Sequence, residues 1–208
     1  YDEVFANLLF HSNNRNKIKK VKKNKKVFKN LYSSKLLNAL PYKLTNSQNK
    51  TIDEISLDLK SSQRMFRILQ GDVGSGKTIV SIMAALNTIE AGYQCGLMAP
   101  TAILAEQHFL LFKNLIEKAN LNINFSLLTG KVDLKERRKI LDDLKNNKIQ
   151  FLIGTHALFQ KTINFNKLGL VVIDEQHKFG VKQRINFAKK GGSNCDVLLM
   201  SATPIPRT

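Results

Sequence analysis

A chain of 208 residues, 43% apolar and 24% charged, suffices for one well-buried domain with an appendage but not for two full domains. No apolar run approaches the ~20 residues that cross a bilayer, and Cys95 and Cys195, without CxxC spacing or nearby His ligands, exclude a disulfide framework or a zinc site. A net charge of +17 favours polyanionic partners through attraction and counterion release.

Tyr1–His11 reads as the end of an amphipathic helix with Val4, Phe5, Leu8 and Leu9 on one face. The first ten residues include Asp2 and Glu3 and lack a basic region followed by an apolar core, so no secretory signal is expected. From Arg15 to Lys35 the chain carries ten basic residues and no acid, which reads as a charged helix or linker. Charge alone leaves a nucleic-acid contact and a solvated face equally open. Leu36–Leu40 leads to Pro41, and the expected division is a helical, basic linker over 1–39 and a globular lobe over 40–208. A chain that begins without Met and stops after Thr208 reads as a segment of a longer protein. The two cysteines, in or beside apolar strands, suit a reducing compartment and hence the cytoplasm.

From Thr45 helices alternate with short apolar strands. Thr45 can cap a helix running to about Lys60, with Ile52, Ile55 and Leu59 on its buried face. Strands are expected over Phe66–Gln70, Gln94–Ala99, Ile123–Leu128, Gln150–Gly154, Leu168–Ile173 and Asp196–Met200. Helices are expected over Lys77–Ala91, Ala102–Ala119 (with Leu104, His108 and Leu111 near one stripe) and Leu134–Asn146. Apolar strands between helices imply a three-layer α/β domain with a mainly parallel sheet, its functional loops at the carboxyl ends of the strands.

The sharpest motif is Gly71-Asp-Val-Gly-Ser-Gly-Lys-Thr78, between a strand and a helix. Gly71, Gly74 and Gly76 let the backbone, with Ser75, curl around phosphate and turn its N–H groups inward. Lys77 supplies a cation to the β- and γ-phosphates of ATP, and the Thr78 hydroxyl suits Mg2+. Asp174 and Glu175 follow the apolar run LGLVVI, where a nucleotide site needs its acids: Asp174 to hold the metal, Glu175 to take a proton from the attacking water. His11 and His108 have no metal-like cluster around them in sequence and read as structural or surface residues.

DEQH at Asp174–His177 is the form this motif takes in superfamily 2 helicases and translocases. Together with LPYKLTNSQ, LQGDVGSGKT, LMAPTAILAEQH, LLTG, IGTHALFQ, DEQHKFGVKQR and MSATPIPRT, it makes residues 40–208 resemble the first motor lobe of the RecG family of DNA helicases. Tyr1–Ser12 is similar to the helix joining that family's wedge domain to its motor. The basic run and Lys178, where the family usually carries Arg, depart from the pattern.

The resemblance implies a RecA-like P-loop fold and ATP hydrolysis that drives movement on branched or duplex DNA in recombination and repair. It implies adenine recognition by Gln48 and backbone DNA contacts from Pro100, Thr101, Gly130, Thr155 and His156, Thr101 also suiting a helix cap. Gln176 and His177 would sense the γ-phosphate or contact Ser201, Ala202 and Thr203, the segment that couples nucleotide state to movement between lobes. Phe179, Gln183 and Arg184 carry no assigned chemistry. The partners implied are DNA, a second motor lobe and an upstream wedge domain. The transcription-repair coupling translocases share GTH, FGV and ATPIPRT but tend to read DEEH. A third reading is a nucleotide- and DNA-binding module that does not turn over alone, because the second lobe supplies the arginines of the transition state.

Overall fold

The computed structural model describes residues 22–160, 162–175 and 190–202. Its helices are α1 (Leu31–Ala39), α2 (Asn46–Lys60), α3 (Lys77–Glu90), α4 (Ala102–Lys118) and α5 (Leu134–Lys145). The strands are β1 (Phe66–Gln70), β2 (Gln94–Met98), β3 (Phe125–Leu128), β4 (Phe151–Gly154), β5 (Leu168–Ile173) and β6 (Asp196–Ser201). Short 3-10 turns occupy His156–Phe159 and Gly192–Asn194. All described ladders are parallel, in the order β1-β6-β5-β2-β4-β3. Among the described residues no helix is long and apolar enough to cross a membrane.

The strands are apolar on both sides because each face has its own core. Along β5, Leu170 and Val172 join the cluster of α1–α4, whereas Val171 and Ile173 face the cluster holding Ile140 and Leu144 of α5. Strand alternation thus converts an unbroken apolar run into two buried faces. Helix α3 is buried from Ile79 to Ile89, packed by α1 and α2 on one side and by the sheet on the other. The expected three-layer fold is present. Along α4 the buried stripe is Ala105, His108, Phe112, Leu115 and Ile116, so Leu111 is exposed and Leu104 only partly covered. The stripe expected from Leu104 and Leu111 is offset, because Phe112 turns inward against Phe125 and Phe151 at the β3–β4 side of the sheet.

The basic run has a partner that its composition does not show. From Lys22 it packs on the lobe by one side: Lys23, Lys26 and Phe28 are buried, as is Leu36 just beyond the run, while Lys22, Lys25 and Lys29 stay exposed. The Asp196 Oδ2 accepts from Lys23 Nζ at 2.5 Å and from Lys26 Nζ at 2.7 Å, while Oδ1 accepts the Met65 N–H at 2.6 Å. Lys23 also donates to the Asp58 carbonyl, and Lys26 to that of Asn194. Burial holds the Lys23 ammonium below the usual lysine range, against the pull of Asp196. Helix α1 lies within the stretch 1–39 expected to be helical, and Glu90 anchors its start by accepting the N–H groups of Lys29 and Tyr32. The helix expected over residues 1–11 lies outside the described residues. Cys95 and Cys195 are buried and free, and burial pushes both thiols up, Cys195 to about 12.

Candidate functional site

Parallel register brings the carboxyl ends of all six strands to one rim. Gln70 pairs with Ser201, Leu199 with Ile173, Ile173 with Met98, Met98 with Gly154 and Gly154 with Leu128. The rim therefore carries, in spatial order, the glycine loop, the Ser201 segment, the Asp174–Glu175 pair, Pro100–Thr101, Thr155–His156 and Gly130. The three phosphate-type motifs share the β1-β6-β5 half. The three expected DNA loops share the β2-β4-β3 half. Chain order interleaves these motifs; strand order sorts them.

In the glycine loop, Gly74 and Gly76 have φ of 80° and 81°, a region costly for side-chain-bearing residues. A Cβ on Gly76 would lie 2.3 Å from Gln48 Nε2 and push that amide aside, so conformation is what requires glycine here. Gly76 caps α3, whose first turn points unpaired N–H groups into the loop. Lys77 Nζ donates to the Gly71 and Asp72 carbonyls at 2.6 and 2.8 Å, acceptors whose place a phosphate oxygen would take. Thr78 stands half-buried beside it. Gln48 serves both neighbours: its Oε1 accepts the Thr45 N–H, closing a capping box on α2, and its Nε2 donates to the Ser75 carbonyl at 2.9 Å. Gly71 N–H donates to the Ser201 carbonyl at 3.3 Å, joining the loop to the expected coupling segment, in which Ala202 is half-buried.

Asp174 emerges from β5 buried and held on three sides. Its N–H donates to the Met98 carbonyl, its Oδ1 accepts the Glu175 N–H at 2.9 Å, and its Oδ2 lies 2.8 Å from His108 Nε2. His108, read from sequence as structural or surface, touches the expected metal acid. The one available signal was its place two turns into the helix that Thr101 caps. Glu175 has φ of 46°, the left-handed region, an uncommon conformation for a residue other than Gly or Asn. The donors at the site, a hydroxyl at Thr78 and a carboxylate at Asp174, are hard oxygens of the kind Mg2+ takes together with nucleotide phosphates.

On the other half, Thr101 caps α4 by accepting the Leu104 N–H at 3.2 Å and leaves its surface exposed. Pro100 is half-buried, His156 and Gly130 are exposed, and Thr155 is buried at the start of its 3-10 turn. Gln176, His177 and Thr203, with Lys178, Phe179, Gln183 and Arg184, lie outside the described residues.

A family model for DEAD/DEAH box helicases matches residues 45–208. The ATP-dependent DNA helicase RecG of Borreliella burgdorferi is 46% identical over the whole chain, and that of Aquifex aeolicus 44%. The chain spans 30% and 26% of those proteins' lengths. The structure of RecG bound to a three-way DNA junction superposes on all of this chain, which covers 27% of that one, with a TM-score of 0.83 at 41% identity. The DEAD-box helicase Mss116 bound to single-stranded RNA matches 86% of this chain, and this chain 39% of it, with a TM-score of 0.68 at 22% identity, a likeness of fold alone.

Proposed function

The chain belongs to the DEAD/DEAH box helicase family, and from that premise we propose that it is the first ATP-binding motor lobe of a RecG-type helicase, residues 40–208 with the packed segment before them. The observation that carries this reading is the sorted rim, with nucleotide motifs on β1-β6-β5 and DNA loops on β2-β4-β3. The lobe would work in the cytoplasm with a second motor lobe and an upstream wedge domain of the same protein, on branched DNA.

The glycine loop and the first turn of α3 cradle the phosphates, and Lys77 moves from its carbonyls to their oxygens. Gln48, fixed between the α2 cap and Ser75, stands where it can read an adenine edge. Thr78 and Asp174 would hold Mg2+, which neutralises developing phosphate charge when bound. Glu175 takes the proton from the attacking water, and Gln176 and His177 sense the γ-phosphate. Ser201, joined to Gly71 through the backbone, passes the loop's state to the Ser201–Thr203 segment. Pro100, Thr101, Gly130, Thr155 and His156 contact the DNA backbone without reading sequence.

The test is ATP hydrolysis by the protein at its natural length with branched DNA, linear duplex or RNA. The expected result is strongest stimulation by branched DNA and loss of hydrolysis, roughly a thousandfold or more, in Lys77→Ala or Glu175→Gln. Equal stimulation by RNA would reject the substrate, and undiminished turnover in either variant would reject the site.

A further inference from the structure

A buried hydrogen bond crosses between the two halves of the rim and joins a DNA-side helix to a nucleotide-side acid. His108 belongs to α4, the helix that Thr101 opens on the DNA side, and its Nε2 meets Asp174 Oδ2 on the nucleotide side at 2.8 Å. Both side chains are nearly covered, with 10% and 13% of their surfaces exposed. A carboxylate can only accept, so the proton of this bond sits on His108 Nε2. The other oxygen is turned by the Glu175 N–H, so the two bonds together set the plane of the carboxylate. Asp174 keeps further lone pairs for a cation, because each oxygen has two and each spends one.

Helix α4 is rigid over the distance that matters. From its cap at Thr101 to His108 is two turns, about 10 Å, and the intervening Ala105 is fully buried. Beyond His108, Phe112 is locked against Phe125 and Phe151. A shift of the Pro100–Thr101 loop therefore moves His108 with the helix.

We infer that His108 is a positioning residue that orients the magnesium-holding carboxylate of Asp174 and couples that orientation to the placement of α4 on DNA. The inference rests on the nucleotide-site reading above. DNA engagement thereby reaches the metal-holding carboxylate directly from the first lobe's own helix, in addition to any signal from a second lobe. A buried histidine that serves packing alone would make the same hydrogen bond, and the experiment separates the two roles.

His108→Leu fills the space without a donor, and His108→Gln returns an N–H near the position of Nε2. In the full-length protein, binding of a fluorescent ATP analogue is titrated with Mg2+, and the ratio of DNA-stimulated to DNA-free hydrolysis is measured on the same samples. His108→Leu is expected to raise the half-saturating Mg2+ concentration about tenfold or more, the usual cost of losing the partner of a metal ligand. The stimulation ratio is expected to fall, and His108→Gln to recover much of both. Should His108→Leu fail to fold, His108→Ala is measured in its place. A packing role alone would lower the melting temperature and leave the Mg2+ midpoint of the folded protein unmoved, which overturns the inference. A shifted midpoint with an unchanged stimulation ratio overturns the coupling. Wild-type protein that shows no Mg2+-dependent binding overturns the nucleotide-site reading, and the role of His108 with it.

Discussion

Asp174 and Asp196 stand at opposite ends of neighbouring parallel strands, both buried, and they have different partners. At the amino rim, Asp196 Oδ2 faces two ammonium groups and its Oδ1 a backbone N–H, so the chain itself supplies more positive charge than the carboxylate carries. At the carboxyl rim, Asp174 meets an imidazole and a backbone N–H. A carboxylate neutralised by its own chain is a clamp, whereas Asp174, which has no lysine or arginine partner among the described residues, suits the proposed role of receiving a cation. Burial is common to both; the partners decide.

The strongest way to break this contrast is Asp196→Ala. It strands two lysines in the interior, and removing one partner from a buried ion cluster costs about 3–5 kcal/mol. The expected outcome is a melting temperature lower by roughly 6–20 °C, while nucleotide affinity of the folded protein stays at the wild-type value. Replacing Asp196, Lys23 and Lys26 together by apolar residues of similar volume should restore most of the stability, since no charge then lacks its partner. A single variant that melts with wild type would mean the clamp is not a clamp. One that folds normally but loses ATP would erase the distinction between rims.

The same contrast explains what could be read in advance. The sheet, its helices and the glycine loop were legible because they rest on local spacing: apolar runs, a capping Thr45, glycines where φ is positive. The carboxyl rim was legible too, since parallel strands deliver their following loops to one end. The amino rim was not. Lys23 and Lys26 sit in a run of like residues, and nothing local distinguishes them from exposed Lys22 and Lys25. Asp196 opens an apolar strand and so demands a partner, but that partner lies far upstream in the chain. His108 was hidden for the same reason: its meaning comes from β5 lying next to β2, a fact of topology. These two misses are long-range and polar, whereas the offset stripe of α4 was a local, apolar one.

A sharper probe of the carboxyl rim is Glu175, whose backbone occupies the left-handed region. Comparing Glu175→Gly with Glu175→Ala isolates the backbone, because both lose the side chain. Glycine adopts this conformation freely and alanine does not, so the glycine variant should be the more stable by about 1 kcal/mol in urea denaturation. Elsewhere in an ordinary element the order would reverse. If alanine proves the more stable, the rim holds no backbone strain at Glu175.

The smallest effect asks whether structure and chemistry can share one residue on this rim. Thr45 caps α2 by accepting the Gln48 N–H at 3.2 Å, and its own N–H donates to the same Gln48 side chain, whose amide then reaches Ser75 in the glycine loop. Thr45→Ala removes the cap oxygen and should cost about 1 kcal/mol of stability. The backbone N–H of residue 45 survives the substitution, so Gln48 keeps its acceptor contact and its reach to Ser75. Nucleotide affinity should therefore change less than twofold, measured by titration of a fluorescent ATP analogue well below the melting temperature. Gln48→Ala severs both links and should lower affinity further than Thr45→Ala at a similar cost in stability. If the two variants lose nucleotide equally, it is the helix cap rather than the glutamine amide that holds the loop, and Gln48 has no part in reading adenine.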